Sequence, residues 1–272
     1  MGKILFYRNG AVQSEEAAIV REFPVVLTVN GRELATLIAS PHDLLFLVAG
    51  FLRLQGFVRE VGDLEMMGVC DDFGIANVKI RGELPQRLRP TLTSGCGTGI
   101  TFTLATRSAE GEPAPVVPAE VFTSATVLAL MEELTRKAES YRNHGGIHSA
   151  AVGDESGLIL YAEDLGRHNT LDRIAGEALL KAINLSGKAL VTSGRVSTEM
   201  VAKAIQLGIS LIASRTSPTD MAVKMCEEAG ITLIGYLRVS KFNIYSHPER
   251  LVISGSADDR RPGKTVAAGV IH

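Results

Sequence analysis

Short apolar segments alternate with helical segments through the second half of the chain, and this alternation restricts the fold more than any other feature. The predicted strands are 189–192, 209–213 and 231–237, and the predicted helices are 197–207 and 218–229. Apolar strands joined by helices are typical of a mainly parallel sheet that is covered by helices on both faces, with right-handed crossovers. We therefore predict an α/β domain whose ligands bind beyond the carboxyl ends of the strands, at 193–196, 214–217 and 238–241.

Two further elements are predicted before this alternation. A hairpin runs from 148 to 161 and turns at 153–157. The helix that follows it is expected to have Asn169 as N-cap and Asp172 in its first turn.

The first half of the chain predicts a small ββαββ unit, which is an α+β arrangement. Two strand segments flank Asn30-Gly31, a dipeptide that accepts the positive φ values of a tight hairpin turn. Ser40-Pro41-His42-Asp43 predicts a helix start with Ser40 as N-cap, and Gly56 marks the helix end. Strands at 64–70 and 75–81 complete the unit.

The segment 108–118 is rich in Pro, Glu and Ala without periodicity, which is typical of a linker. We predict two domains on either side of it. Residues 1–112 form the small α+β domain that carries Cys96, and residues 113–272 form the α/β domain that binds the ligand. The apolar spacing between 121 and 141 predicts a helix after the linker.

The composition excludes several classes of protein. Lys and Arg number 28 against 30 Asp and Glu, a net charge of -2, so charge predicts no binding to nucleic acid or to a membrane surface. The apolar run 44–52 is far shorter than the roughly 20 residues that span a bilayer, and the N-terminus lacks a secretory signal. Three scattered cysteines do not form a disulfide framework. We predict a soluble cytoplasmic protein.

Cys96 lies in a glycine-rich segment, Thr93-Ser94-Gly95-Cys96-Gly97-Thr98-Gly99. The glycines leave the thiol little shielded and let backbone amides approach an anion. A thiolate there can attack a sulfur or carbonyl electrophile, although a turn that happens to contain a cysteine explains these residues equally well. Cys226 lies on the apolar side of a predicted helix and Cys70 ends a predicted strand, so both are expected to be structural.

Polar residues follow two neighbouring strands of the second half. Ser193-Gly194-Arg195 precedes a helix N-terminus, where free amides, the helix dipole and a guanidinium can hold a phosphate. Ser214-Arg215-Thr216-Ser217 repeats this arrangement after the next strand. In the turn 163–169, Arg167 and His168 are donors suited to phosphate or to proton transfer, and a capped, salt-bridged corner is the alternative.

His144 and His148 are four residues apart, but Gly145 and Gly146 between them argue against a metal pair mounted on a helix. A metal-dependent hydrolase that uses His144, His148 and His168 is kept as an alternative function. We predict no tightly bound metal.

Four segments of the second half are GIHSAAV, EDLGRHNTLDRIAG, TSGRVSTEMVAKA and SPTDMAVKMCEEAGITLIGYLR. Together with 40–56 and the Cys96 segment, they resemble the formate dehydrogenase accessory sulfurtransferase family, FdhD, over residues 24–251. The resemblance implies that the C-terminal domain is a cytidine-deaminase-like three-layer α/β/α domain without the deaminase zinc site.

The resemblance also implies a carrier of activated sulfur. A cysteine desulfurase passes sulfane sulfur to Cys96 as a persulfide. The sulfur then moves to the molybdenum or tungsten of a bis(molybdopterin guanine dinucleotide) cofactor, which matures formate dehydrogenase. A ligand with two guanine ends would suit a two-fold homodimer.

Two arguments predict which residues contact the cofactor. The resemblance implies contacts along one segment, at Tyr236, Leu237, Arg238, Val239, Ser240 and Lys241. The phosphate argument above adds Ser193, Gly194, Arg195, Arg167 and His168.

The family usually has Cys-Gly-x-Cys-Gly in its loop, whereas this chain has Cys96-Gly97-Thr98-Gly99. A relay between two loop cysteines is therefore not expected, but one persulfide needs only one thiol. Because a persulfide is more acidic than a thiol, the loop is expected to hold it as an anion. The alternative function is a non-catalytic chaperone that binds the molybdenum cofactor for formate dehydrogenase without sulfur chemistry.

Overall fold

The computed structural model describes residues 2–84, 91–92, 100–101, 116–140 and 145–253, and a four-stranded and a six-stranded sheet organise this part of the chain. Each sheet has its own buried apolar side chains. The predicted linker at 108–118 lies largely outside the described residues. The boundary between 1–112 and 113–272 therefore stays a prediction.

The four-stranded sheet and one helix form the predicted ββαββ unit. Its elements are β3 (Phe23–Val29), β4 (Arg32–Ala39), α1 (Leu44–Leu54), β5 (Leu64–Cys70) and β6 (Ile75–Ile80). The strand order is β4-β3-β6-β5, and only β3 and β6 pair in parallel. Asn30 and Gly31 have φ values of 50° and 78°, which confirms the tight turn predicted between β3 and β4.

The helix of this unit begins later than predicted. Ser40 is not the N-cap of α1, because the helix starts at Leu44 and Asp43 holds the cap position with φ 44° and no capping hydrogen bond from its side chain. The Ser40 amide donates instead to Asp164 Oδ2 at 3.2 Å, and its hydroxyl accepts from the Leu165 amide at 3.1 Å. Contacts with a distant segment therefore replace the local cap.

The six-stranded sheet carries the predicted alternation in its centre. Its strands are β10 (His148–Asp154), β11 (Gly157–Asp164), β12 (Ala189–Thr192), β13 (Leu211–Ser214), β14 (Thr232–Arg238) and β15 (Lys241–Ser246), in the order β11-β10-β12-β13-β14-β15. Only the pairs β12–β13 and β13–β14 are parallel. The prediction of a mainly parallel sheet is therefore wrong, because hairpins flank the parallel centre and tight turns join antiparallel neighbours.

Helices cover both faces of this sheet, as predicted. They are α2 (Ser124–Lys137), α3 (Arg167–Leu180), α4 (Thr198–Gln206) and α5 (Asp220–Ala229). Ala189 and Val191 of β12 pack with α2 on one face, whereas Leu190 packs with the other three helices on the opposite face. The sheet is thus apolar on both sides. Its assignment as a cytidine-deaminase-like domain stays a prediction.

The start of α3 also differs from the prediction. Asn169 is not the N-cap, because α3 begins at Arg167 and Gly166 holds the cap position. Asn169 is buried in the first turn, and its side-chain amide donates to the Ile38 carbonyl and to Asp164 Oδ1, both at 2.8 Å. The hydrogen bond to Ile38 connects α3 to β4, and so connects the two halves of the chain.

Smaller elements complete the described structure. The strands β1 (Gly2–Arg8) and β2 (Ala11–Ala17) form a hairpin, β7 (Thr91–Leu92) pairs with β8 (Ile100–Thr101), and β9 (Phe122–Thr123) pairs with β16 (Leu251–Val252). Among the described residues, no helix combines the length and the apolar character that a bilayer span requires.

Candidate functional site

The loops after β12, β13 and β14 meet at one edge of the six-stranded sheet, as predicted for the carboxyl ends of neighbouring parallel strands. The Ser214 hydroxyl donates to the Gly194 carbonyl at 2.7 Å, which joins the first two loops. The Arg238 guanidinium donates to the Arg215 carbonyl, which joins the second loop to the third. Hydrogen bonds therefore link the three predicted loops in a row.

The amides of the first loop are already engaged. The Ser193 amide donates to the Ser149 carbonyl at 2.9 Å, and the Gly194 amide donates to Thr192 Oγ1 at 3.1 Å. The expectation of free amides for a phosphate is wrong at these two positions, because β10 and the Thr192 hydroxyl occupy them. The side chain of Arg195 is exposed, so the cation that this loop offers to an anion is that guanidinium.

A cavity of 290 Å³ opens between α2 and the end of β14. Three arginines line it, Arg136, Arg215 and Arg238. Arg215 Nη1 donates to Thr135 Oγ1 of α2 at 3.4 Å, so the helix helps to position that cation. Guanidinium groups form paired hydrogen bonds with phosphate and carboxylate oxygens, so this cavity suits an anionic ligand.

The remaining walls of the cavity are largely apolar. They are formed by Leu128, Met131, Leu237 and Val239, with Glu132 and Thr135 beside them. The sequence does not indicate that α2 belongs to the site, because Arg136 has the pattern of an ordinary solvent-exposed residue on a helix. Arg136 lies at the site only because α2 packs against β14, a strand about a hundred residues later in the sequence.

The segment 236–241 contains the last three residues of β14, the turn at 239–240 and Lys241, the first residue of β15. Tyr236 is in the left-handed region at φ 52°, and its amide donates to the Thr216 carbonyl at 3.0 Å. Its side chain is 47% exposed, and that of Val239 is 94% exposed, whereas Leu237 is fully buried. A second cavity, of 430 Å³, is lined by Tyr236, Arg238, Lys241, Phe242 and Asn243. Arg238 therefore borders both cavities.

Arg167 and His168 begin α3 and are buried beside the first loop. His168 Nε2 lies 3.3 Å from Ser197 Oγ and 3.4 Å from Glu199 Oε2. Burial, together with the charges of Lys203 and Arg167, lowers the pKa of His168 to about 2. This imidazole is therefore neutral at physiological pH and offers one N–H rather than a positive charge.

His148, the first residue of β10, is half-buried. Burial, and then the charge of Arg167, lowers its pKa from the usual range. Within the described residues, no group of three His, Cys, Asp or Glu side chains is placed to hold a metal ion. His144, which the hydrolase alternative needs, lies outside the described residues.

The comparison with protein families decides what kind of chain this is. The model of the FdhD/NarQ family matches residues 20–252, which is most of the sequence. The chain belongs to the FdhD/NarQ family. The resemblance read from the sequence is therefore confirmed.

Relatives of this FdhD/NarQ chain have been named from several bacteria. The sulfur carrier protein FdhD of Bacillus subtilis (strain 168) is 33% identical over 250 residues, which cover 90% of this chain and 94% of that protein. The sulfur carrier protein FdhD of Geobacillus kaustophilus (strain HTA426) is 34% identical over 251 residues, covering 91% and 95%. A crystal structure described as a formate dehydrogenase accessory protein from Desulfotalea psychrophila superposes with a TM-score of 0.75 at 26% identity, covering 93% and 98%.

Two of the three cysteines of this FdhD/NarQ chain lie among the described residues, and these two differ in environment. Cys96 lies outside the described residues, in the connection between β7 and β8, which pair Thr91 with Thr101 and Leu92 with Ile100. Cys226 is fully buried, and burial raises its pKa to about 12, which confirms its predicted core position. Cys70 ends β5 as predicted, but it is exposed, so it does not pack in the core.

Proposed function

We propose that this FdhD/NarQ chain carries sulfur for the maturation of formate dehydrogenase. In this role it accepts sulfane sulfur from a cysteine desulfurase as a persulfide on Cys96. It then transfers that sulfur to a bis(molybdopterin guanine dinucleotide) cofactor. The names of its relatives support the sulfur-carrier role, and the superposed formate dehydrogenase accessory protein supports the link to that enzyme.

The observation that carries the cofactor part of this proposal is the cavity lined by Arg136, Arg215 and Arg238. A guanine dinucleotide is joined through pyrophosphate, whose charge and oxygen geometry match guanidinium groups. Lys241 lines the adjoining cavity, and Arg195 is exposed at the neighbouring loop. The residues at this edge therefore fit the anionic portion of the substrate.

The chemistry needs one thiol and no external redox partner. First, the Cys96 thiolate attacks the terminal sulfur of the desulfurase persulfide, and the desulfurase cysteine leaves as a thiolate when the old S–S bond breaks. Second, the terminal sulfur leaves Cys96, which returns to a thiolate. The transferred sulfur takes an electron pair from the metal of the cofactor and becomes a sulfide ligand.

Sulfur loading tests the first step. The protein is incubated with a cysteine desulfurase and free cysteine, and its peptides are analysed by mass spectrometry without reduction. We expect the wild type and the Cys70→Ser and Cys226→Ser variants to gain one sulfur atom on the Cys96 peptide. The Cys96→Ser variant is expected to gain none. Equal loading of Cys96→Ser and wild type would remove Cys96 from the mechanism.

A cofactor chaperone without sulfur chemistry is the second candidate. The arginine-lined cavity favours it as much as it favours the carrier, because the cavity supports binding of the cofactor and involves no thiol. Gly99, in the place of the second loop cysteine usual in the family, points the same way. The chaperone predicts that Cys96→Ala still restores formate dehydrogenase activity in cells lacking the native gene, whereas the carrier predicts loss of that activity.

A further inference from the structure

We infer that the β1–β2 hairpin is an interaction surface for a second copy of this chain, through the face that carries Leu5, Tyr7 and Val12. These three side chains are 75%, 71% and 62% exposed. Apart from each other, β1 and β2 pack along no other helix or strand of the described chain. The match to the FdhD/NarQ model begins at residue 20, after the hairpin, so the family match supplies no role for it.

The hairpin is formed by local signals but lacks a cover for its apolar side chains. Asn9 and Gly10 turn the chain with φ values of 50° and 87°, as a tight hairpin turn requires. An isolated two-stranded hairpin is nevertheless marginally stable at best in water. Exposed apolar side chains that lie together are typical of a surface that another molecule covers.

The register of the hairpin decides which side chains share a face. Residues that pair across the two strands point to the same side, and successive residues along a strand point to opposite sides. Tyr7 pairs with Val12, Leu5 with Ser14, and Lys3 with Glu16. We call the face that these six residues share the docking face.

The docking face is complementary to itself under a two-fold axis that runs along the hairpin between two stacked copies. Such an axis sets β1 of one copy over β2 of the other, at the same level along the strands. Lys3 then lies over Glu16 of the second copy, and Tyr7 lies over Val12 of the second copy. Each contact occurs twice, so opposite charges meet at one end of the hairpin and apolar groups meet at the other.

The charges of the docking face are available, whereas the opposite face does not suit the same stacking. Within the described part of the chain, the side chains of Lys3 and Glu16 are exposed and form no ion pair or hydrogen bond. On the opposite face Ile4 pairs with Glu15, so stacking would set an apolar side chain over a carboxylate. Glu15 therefore serves as a matched control on the same strand.

Sedimentation equilibrium of the full chain measures the dissociation constant of the dimer. A hairpin face is smaller than the roughly 800 Å² per partner of a standard interface, so we expect a micromolar constant for the wild type. Lys3→Glu and Glu16→Lys should each weaken the dimer by about tenfold or more, because like charges then face each other twice. Glu15→Lys makes the same charge change on the opposite face and should keep the wild-type constant.

A mixture of the Lys3→Glu and Glu16→Lys proteins separates contacts between copies from contacts within one copy. Within each variant, positions 3 and 16 carry like charges, but between the two variants every facing pair of these positions is opposite in charge. We expect the mixed dimer to form with the wild-type affinity, measured with a fluorescent label on one variant.

Three results would overturn the inference. A wild type that stays monomeric at every concentration has no second copy on its hairpin. A dimer that Lys3→Glu and Glu16→Lys leave unchanged has another interface. A mixture that associates no more tightly than either variant alone shows that the substitutions act within one hairpin. None of these results bears on sulfur loading of Cys96, and circular dichroism checks that each variant is folded.

Discussion

Gly50 of α1 and Gly176 of α3 face each other where these two helices cross. A Cβ atom on Gly50 would lie 2.7 Å from the Gly176 amide nitrogen and would overlap the Asp172 carbonyl. A Cβ atom on Gly176 would lie 2.6 Å from the Gly50 nitrogen and would overlap the Phe46 carbonyl. The backbones of the two helices therefore touch, and the small sheet is held against the large one through this contact.

The crossing predicts that Gly176→Ala destabilises the protein. The added methyl meets rigid backbone, so the helices must separate, which typically costs about 1–3 kcal/mol. Gly68→Ala in β5 is the control, because its nearest neighbour would be the Asn77 carbonyl at 3.9 Å, an ordinary contact. Urea denaturation measures the free energy of unfolding of both variants. Equal values for the two would show that the helices are not in close contact.

The ion pair between Asp164 and Arg173 predicts a second loss of stability. Asp164 Oδ2 accepts from Arg173 Nη2 at 2.6 Å, and the two side chains are 0% and 3% exposed. Arg173 also donates to the Ser40 carbonyl at 2.8 Å. Arg173→Met leaves the carboxylate buried without its cation, which typically costs about 3–5 kcal/mol.

The exposed pair of Lys79 and Glu65, at 3.0 Å, is the control for that variant. Lys79→Met should change the free energy of unfolding by less than about 1 kcal/mol, because water screens the pair. If both variants lose the same small amount, the buried pair does not hold the β4–α1 connection to α3.

His168 predicts that stability decreases in acid. Its pKa is about 2 in the folded chain against 6.5 for the free side chain, so below pH 6.5 the unfolded state binds a proton that the folded state does not. The stability from neutral His168 is fully present above pH 6.5 and is lost toward pH 2, by at most about 1.4 kcal/mol per pH unit. His168→Gln should remove this contribution to the pH dependence of the free energy of unfolding. The prediction would be contradicted if the free energy of unfolding changed with pH in the same way for the wild type and the variant between neutral pH and pH 5.

The cations at the sheet edge predict the strength and the salt dependence of nucleotide binding. Arg238→Ala and Arg195→Ala should each weaken guanosine diphosphate, Arg238→Ala by about tenfold, because charge-assisted hydrogen bonds to phosphate are lost. Affinity should also depend less on ionic strength. Lys79→Ala, on the small sheet, is the charge-matched control. Unchanged affinity in both arginine variants would move the site elsewhere.

Much of the larger sheet could be predicted because the sequence patterns that indicate its strands and helices are local. The three strands and two helices of the central alternation begin and end within two residues of their predicted bounds, because apolar periodicity is a property of adjacent residues. The strand Lys241–Ser246 was not predicted, because it mixes polar and apolar residues at the edge of the sheet. The caps at Ser40 and Asn169 were predicted wrongly because both side chains bind across the interface between the two sheets.

The site could be predicted only in part for the same reason. The loops that begin at residues 193, 214 and 238 could be located from the ends of predicted strands, and hydrogen bonds join them. Glu132 and Arg136 could not be found, because an exposed helical residue carries no local signal of a ligand. Packing of α2 against β14 brings them to Arg238.

The transfer of labelled sulfur tests the central claim most directly. The protein is loaded by a cysteine desulfurase with radiolabelled cysteine, purified, and mixed with formate dehydrogenase that holds unsulfurated cofactor. We expect the label to leave the Cys96 peptide and to appear in the cofactor extracted from the enzyme, in step with the gain of formate oxidation. Activation of the enzyme while the label stays on the protein would contradict a sulfur carrier.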